Sequence, residues 1–258
     1  MNPNPGLKYK KQENRYAKLV FSDEFENEGS PDDQKWHHQV IPPNNGSWHN
    51  DELQHYTNRT ENSFVSDGIL KIKAIKEEYS YNGSKKGYTS ARLNTKFAFT
   101  YGRVEVRAKL PSMPGTWPAI WTLGANVNET GNYFGDQYGS VGWPLCGEID
   151  IMEHVGRDVG TVQAALHTPS SFGATVNKGT TSIATTTTDF HVYSVEWTEE
   201  KVEFSVDGST YYSYNPATKN SDTWPFDKDF FLILNIAMGG TLGGDVDGNF
   251  SSSTMEVD

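Results

Sequence analysis

Three carboxylates lie close together in the segment Glu148–Glu153, where isoleucine and methionine separate them. Isoleucine favours β-strands, and side chains along a strand alternate between its two faces. Glu148 and Asp150 therefore share one face, whereas plain alternation would place Met152 beside them instead of Glu153. A one-residue β-bulge after Asp150 would return Glu153 to the acidic face, and such bulges are found next to active sites.

Carboxylates held this close repel one another, so one of them should hold its proton well above the ordinary pKa range. Two carboxyls whose pKa values are pushed apart are the means of glycoside hydrolysis, in which one acts as acid and the other as nucleophile. The alternative is a solvated acidic strand face without a catalytic role. Three tryptophans near in sequence favour catalysis, because exposed aromatic rings beside carboxylates are typical of sugar-binding surfaces; they are Trp117, Trp121 and Trp143. Any one of them could instead belong to the core.

The composition limits the class of partner. The chain has 258 residues and a formal net charge of −11, which disfavours nucleic acids and anionic polymers because they would be repelled. A neutral glucan is therefore favoured over a sulfated galactan. No apolar run approaches the length of a membrane span. The single cysteine, Cys146, excludes an intrachain disulfide and is interpreted as a small packed residue rather than a thiol nucleophile.

Strand-like segments separated by turns recur along the chain. The segments 69–75 and 103–110 alternate between apolar and polar residues, and 191–197 and 201–207 form a predicted hairpin. The segment 230–238 is apolar on both faces, which predicts a central strand. No window predicts a long amphipathic helix. We therefore predict an all-β fold, a two-sheet β-jelly-roll sandwich with a concave substrate-binding cleft.

The domain organisation follows from the same pattern. Residues 1–18 are polar and are predicted to form an N-terminal arm, and residues 19–258 are predicted to form one catalytic domain. A long loop rich in Gly, Asn and Tyr covers residues 124–145, directly before the acidic strand. Because long loops in compact domains tend to be functional, we expect this loop to wall one end of the cleft. The alternative is a disordered surface insertion.

The acidic motif, together with others along nearly the whole chain, resembles glycoside hydrolase family 16. The further motifs are residues 21–25, 50–57, 91–93, 101–107, 115–121 and 255–258. Within the family, the chain is similar to the laminarinases, which are endo-β-1,3-glucanases. The extra residue before Glu153 separates that branch from the lichenases, although agarases and carrageenases share it. The Asn-Asp-Glu-Leu-Gln-His-Tyr stretch that begins at Asn50 is the more laminarinase-like feature.

The resemblance implies a retaining, double-displacement reaction that needs no cofactor. Glu148 would be the nucleophile, Glu153 the general acid and base, and Asp150 a hydrogen-bond partner that tunes Glu148. The two reacting carboxyls of retaining enzymes lie about 5–5.5 Å apart. His167 matches a histidine on the cleft side of the next strand, near the acid/base, where it could donate to that residue or to a sugar hydroxyl; a core histidine is the alternative.

The resemblance also implies a substrate-binding set and a structural metal. The predicted substrate-binding residues are Asn50, Glu52, Arg92, Trp117, Trp121, Trp143, His167 and Asn235. Family members often bind a structural calcium, for which the matching positions are the carbonyls of Glu24 and Gly68 and the carboxylate of Asp258.

The resemblance leads us to expect a monomer that acts on a β-1,3-glucan polysaccharide or oligosaccharide. Its expected location is secreted, periplasmic or at the cell surface. Two alternatives stay open. The first is a hydrolase of another β-glucan or galactan, such as mixed-linkage glucan or agarose. The second is a β-glucan-binding protein without catalysis.

Overall fold

Two β-sheets pack face to face in residues 18–258, the part of the chain that the computed structural model describes. The predicted N-terminal arm lies, except for its last residue, outside these described residues. The strands are β1 (Trp36–His38), β2 (Gln54–Tyr56), β3 (Ser63–Ser66), β4 (Ile69–Tyr81), β5 (Ser84–Ser90), β6 (Arg92–Phe99), β7 (Gly102–Lys109), β8 (Thr116–Gly124), β9 (Glu148–Glu153), β10 (Thr161–His167), β11 (Lys178–Ser182), β12 (His191–Trp197), β13 (Val202–Val206), β14 (Ser209–Tyr214), β15 (Phe230–Met238) and β16 (Ser252–Val257). A short helix, α1 (Gly240–Gly243), follows β15.

The two sheets differ in size. The seven-stranded sheet has the order β1-β6-β15-β8-β9-β10-β11. The nine-stranded sheet has the order β14-β13-β12-β7-β16-β4-β5-β2, with β3 paired to β4. The acidic strand β9 therefore lies inside the seven-stranded sheet, hydrogen-bonded on both sides. The all-β jelly-roll prediction is confirmed.

The predicted central strand is β15, which is buried along its whole length between β6 and β8. Phe230, Leu234 and Ile236 point into the main core between the sheets. Phe231 and Ile233 point to the opposite, outer face of the seven-stranded sheet, where they join a second apolar cluster. Each fully buried side chain of this size contributes about 1.5–3 kcal/mol of hydrophobic free energy.

The long loop between β8 and β9 is packed onto that outer face. Val127 and Phe134 join the second cluster, and the Phe134 ring lies 5.5 Å from the Phe231 ring. Asn132 donates from Nδ2 to the carbonyl of Val127 at 3.1 Å, which ties the loop internally. The loop therefore covers one part of the outer face and borders the part that carries the carboxylates, as predicted.

The other strand predictions are confirmed with shifted ends. Strand β4 continues to Tyr81, beyond the predicted end at residue 75, because it forms a long hairpin with β5. Strands β12 and β13 form the predicted hairpin, in register from Tyr193–Val206 to Trp197–Val202. Within residues 18–258, no helix is both long enough and apolar enough to span a membrane.

Candidate active site

Strand β9 places all three carboxylates on the outer face of the seven-stranded sheet. Glu148 and Asp150 pair with Leu123 and Trp121 of β8, but Glu153 pairs with Ala119, so the register shifts by one residue between them. The same shift occurs against β10. The predicted β-bulge is thus confirmed, and it turns Glu153 to the face that Glu148 and Asp150 occupy.

Gly147 sets the entry into β9. Its φ of 76° is a left-handed conformation that favours glycine. A Cβ here would lie 2.9 Å from the Phe230 ring and 3.1 Å from the carbonyl of Pro225. The close approach of the backbone to Phe230 therefore requires glycine directly before Glu148.

Glu148 is held by an indole and lies beside an imidazole. Trp143 donates from Nε1 to Glu148 Oε2 at 2.9 Å, and His167 Nε2 lies 3.5 Å from Glu148 Oε1. Burial, followed by the neighbouring Asp150 carboxylate, raises the pKa of Glu148 to about 8. Trp143 as a residue is 43% exposed, which leaves part of its side chain available to a ligand.

Asp150 is the most buried of the three carboxylates, with 4% of its surface exposed. Burial and the charge of Glu153 raise the pKa of Asp150 well above its usual range, and a hydrogen bond with Glu148 acts in the opposite direction. Because Asp150 has the least access to water, we assign the shared proton to Asp150, which donates it to Glu148. A neutral Asp150 removes one of the two main causes of the raised Glu148 pKa, so Glu148 is the ionised member of this pair.

Glu153 is held by two neutral N–H donors. Trp117 donates from Nε1 to Glu153 Oε1 at 3.1 Å. Gln163 of β10 donates from Nε2 to Glu153 Oε2 at 3.0 Å. Gln163 was not predicted as a site residue, although alternation along β10 puts it on the same face as His167.

His167 lies against Asp150 and Glu148 rather than against Glu153. Because β10 runs antiparallel to β9, His167 is paired with Glu148, and Gln163 with Glu153. The expectation that His167 lies near the acid/base is therefore wrong in detail. His167 Nε2 is 3.2 Å from Asp150 Oδ2.

This cluster of two carboxylates and a histidine also has the residue types that bind metal ions. Glu148, Asp150 and His167 offer atoms within 4.8 Å of one another. However, the backbone N–H of Gly173 donates to His167 Nδ1 at 3.1 Å, which leaves the ring proton of neutral histidine on Nε2. Nε2 then faces the carboxylates as a donor and not as a ligand. The arrangement fits a hydrogen-bonded cluster better than a metal centre.

A polar network continues across the outer face toward β6. Trp121 donates from Nε1 to Asn235 Oδ1 at 2.7 Å, and Asn235 donates from Nδ2 to the Tyr56 hydroxyl at 3.0 Å. Tyr56 and Gln54 in turn donate to Glu52 Oε2, at 3.3 Å and 2.6 Å. Burial raises the pKa of Glu52 to about 7, against these hydrogen bonds. The predicted residues Trp121, Asn235 and Glu52 thus belong to one connected surface.

Arg92 borders this network, but its guanidinium is bound by the loop. Arg92 Nη1 lies 2.8 Å from Glu129 Oε1, and Nη2 donates to Glu129 Oε2 at 3.3 Å. The guanidinium also lies 5.1 Å from the centre of the Trp121 ring. Glu129 was not predicted as a site residue, because the sequence of an irregular loop does not indicate which distant residue a loop side chain will contact.

Asn50 lies two residues before Glu52 of the polar network, in an exposed turn with a positive φ of 57°. Its carbonyl accepts from the N–H of Thr241 at 2.9 Å, which ties the turn to α1. Arg157 donates to the carbonyls of Leu242 and Gly243 and so fixes the same helix from the other side.

Two residues near the carboxylates are packed side chains, as predicted. His154 is buried, and its Nδ1 lies 2.9 Å from the carbonyl of Thr161. Cys146 is fully buried in the second apolar cluster, and burial raises the pKa of its thiol to about 12. The thiol is therefore protonated and serves packing.

The positions predicted for calcium lie beside strands β3, β4 and β16 of the nine-stranded sheet. Leu70, just after Gly68, pairs with Val257, just before Asp258. Gly29, which follows the Glu24 segment, pairs with Val65. The carbonyl and carboxylate oxygens of these segments suit calcium, but the Asp258 carboxylate forms an ion pair with Arg107. The calcium site stays a prediction, in which the ion would compete with Arg107 for Asp258.

Comparisons with known proteins identify the family of the chain. The family model described as "Glycosyl hydrolases family 16" matches residues 49–257. The beta-glucanase of Rhodothermus marinus is 45% identical over 237 residues, which cover 88% of this chain and 77% of that protein. Glucan endo-1,3-beta-glucosidase A1 of Niallia circulans is 37% identical over 93% of this chain, which spans 37% of that longer protein.

Among solved structures, a variant of LamA from Zobellia galactanivorans, crystallised with laminaritriose and laminaritetraose, superposes with a TM-score of 0.88. It is 59% identical, and the match covers 94% of this chain and 97% of that one. The match of the family model to most of the chain and the identity to these relatives lead to one conclusion: the chain belongs to glycosyl hydrolase family 16.

Proposed function

We propose that this protein is a retaining endo-β-1,3-glucanase that hydrolyses laminarin-type polymers by double displacement. The observation that carries the proposal is the bulged strand β9, which presents Glu148, Asp150 and Glu153 together on one open face. Family membership and the similarity to a structure crystallised with laminarin oligosaccharides support it.

In the first step, the ionised Glu148 attacks the anomeric carbon of the sugar and forms a glycosyl–enzyme ester. The glycosidic bond breaks at the same time, and Glu153 gives its proton to the departing oxygen. Trp143 donates a hydrogen bond to Glu148, and the proton assigned to Asp150 is shared with Glu148, so both groups fix the direction of its attack. Trp117 and Gln163 hold the Glu153 carboxyl between them.

In the second step, Glu153, now a carboxylate, removes a proton from water. The resulting hydroxide equivalent attacks the anomeric carbon from the side that the leaving sugar vacated. The ester bond to Glu148 breaks, and its carboxylate is regenerated. Two inversions at one carbon retain the β-configuration, so a β-anomer is the first product expected.

Substrate binding is assigned to the tryptophans beside the carboxylates and to the polar network next to them. Trp117, Trp121 and Trp143 offer ring faces for stacking, which is how proteins commonly bind the apolar faces of sugars. Asn50, Glu52, Arg92 and Asn235 offer polar groups to hydroxyls. Because the Arg92 guanidinium is paired with the Glu129 carboxylate, it presents few free N–H donors to a sugar. Arg92 therefore acts chiefly by packing against the Trp121 ring.

A substrate panel tests the proposal. Purified protein would be assayed for release of reducing ends from laminarin, lichenan, agarose and carrageenan, with Glu148→Ser as the blank. Fastest release from laminarin, as a ladder of oligosaccharides, is expected for an endo-β-1,3-glucanase. Fastest release from lichenan or agarose would identify another polysaccharide. Binding of laminarin without release would identify a non-catalytic glucan-binding protein.

Three further points belong to the proposal. A polymeric substrate favours a secreted, periplasmic or cell-surface location, since such polymers do not enter cells. A monomer suffices, because the described residues supply every group used in the reaction. A structural calcium held by Glu24, Gly68 and Asp258 would support the nine-stranded sheet and take no part in the chemistry.

A further inference from the structure

The loop between β10 and β11 is tied to the active site through a backbone N–H. Gly173 donates to His167 Nδ1 at 3.1 Å. The loop itself is held by side-chain oxygens: Ser171 Oγ lies 2.9 Å from Thr175 Oγ1, and Thr175 Oγ1 donates to the carbonyl of Leu166 at 3.0 Å. The position of the Gly173 N–H is thus fixed by several bonds within the loop.

This donor decides the tautomer of His167. A nitrogen that accepts a hydrogen bond carries no proton, so neutral His167 carries its proton on Nε2. Nε2 points at Asp150 Oδ2, at 3.2 Å, and lies farther, at 3.5 Å, from Glu148 Oε1. Among the residues that the structure describes, Asp150 Oδ2 is buried without a hydrogen-bond partner, and His167 Nε2 lies within donor distance of it at 3.2 Å.

We propose that His167 is a positioning residue for the nucleophile: its Nε2–H, directed by the Gly173 N–H, anchors Asp150 Oδ2 so that the remaining Asp150 oxygen presents its proton to Glu148. The proton stays between Asp150 and Glu148, and no bond to the sugar involves His167. This role rests on the proposed glycosidase function and differs from that of a sugar ligand, which the sequence suggested for this residue.

The geometry explains why a histidine stands here. The imidazole spans from the loop backbone on one side to a buried carboxyl on the other, and only one tautomer satisfies both contacts. The ring is also packed beside Trp143, at 5.5 Å between ring centres. Trp143 in turn donates to Glu148, so His167 supports both hydrogen-bond donors of the nucleophile.

Three variants separate positioning from binding and from stability. His167→Ala removes the donor, and His167→Gln restores an N–H of similar reach. His191→Ala is the matched control, because His191 also faces a carboxylate, with Nδ1 2.6 Å from Asp207 Oδ2, but lies in the nine-stranded sheet. For each variant, kcat and KM on laminarin and the melting temperature would be measured.

We expect His167→Ala to lower kcat roughly 5- to 150-fold with little change in KM, the scale of one buried acceptor left unpaired. His167→Gln should recover most of the loss, and His191→Ala should leave kcat unchanged. A wild-type kcat in His167→Ala, a rise in KM alone, or no recovery in His167→Gln would overturn the proposal.

A second measurement needs no substrate and so distinguishes failure of this inference from failure of the proposed function. Nitrogen NMR of protein with ¹⁵N-labelled histidine would report the tautomer of His167, assigned by comparison with His167→Gln. A neutral ring protonated on Nε2 is expected. A proton on Nδ1 would refute the proposed contact from His167 Nε2–H to Asp150, even in an active enzyme. Inactive wild-type protein with the expected tautomer would refute the glucanase assignment and leave the hydrogen-bond arrangement standing.

Discussion

The ion pair between Arg92 and Glu129 gives a prediction whose magnitude follows from burial. Both side chains are largely buried, with 6% and 10% of their surfaces exposed, and two nitrogen–oxygen contacts join them at 2.8 Å and 3.3 Å. Glu129→Gln keeps the size of the side chain and removes the charge, which leaves the Arg92 guanidinium buried without a counter-charge.

Removal of one partner from a buried pair costs about 3–5 kcal/mol, because the remaining charge keeps its desolvation penalty. In a chain of this size, that loss lowers the melting temperature by roughly 6–20 °C. The matched control is Glu78→Gln. Glu78 pairs with Lys85 at 2.7 Å, but the two side chains are 77% and 59% exposed, so about 0–1 kcal/mol is expected.

Urea denaturation of the two variants and the wild type measures both losses directly. A double-mutant cycle with Arg92→Met would give the coupling energy, which should account for most of the loss in Glu129→Gln. If Glu129→Gln costs no more than Glu78→Gln, the pair is not the anchor of the loop between β8 and β9. The apolar contact between Phe134 and Phe231 would then be the main anchor.

The remaining predictions concern the reaction and the metal. Glu148→Ser should fold normally and lose nearly all hydrolysis while still binding laminarin oligosaccharides by calorimetry; wild-type-like turnover would contradict its assignment as nucleophile. In that inactive background, Trp117→Ala should weaken binding by about 1–3 kcal/mol, whereas an unchanged affinity with a large drop in melting temperature would show that Trp117 is structural. Only ionised Glu148 can attack, and its pKa is raised from 4.5 to about 8, so kcat/KM should rise with pH in a limb above the usual carboxyl range. Because Asp150 carries the shared proton and is neutral beside ionised Glu148, Asp150→Asn removes no charge and should leave this limb of the residual activity in place; a limb that moves to lower pH would show that Asp150 is ionised. Added calcium should raise the melting temperature of the wild type more than that of Asp258→Asn, and an equal response in both proteins would exclude Asp258 as a ligand.

Several expectations could be reached from local pattern because strands have a period of two. Alternation put Glu148 and Asp150 on one face, and the mismatch at Glu153 predicted the bulge that β9 has. Apolar residues on both faces predicted the central position of β15. The strand end at Tyr81 was missed, since an exposed hairpin arm needs no apolar face and so leaves little signal.

The amino-acid sequence by itself determined the strands, the face that carries the carboxylates and, through its motifs, the family. The tertiary structure alone decided which groups surround each carboxylate. His167 meets Asp150 because β10 runs antiparallel to β9, and Glu129 meets Arg92 because an irregular loop folds back over the sheet. Alternation is a property of neighbouring residues along one strand. Register between strands and the path of a loop depend instead on packing between distant segments, which no local pattern encodes.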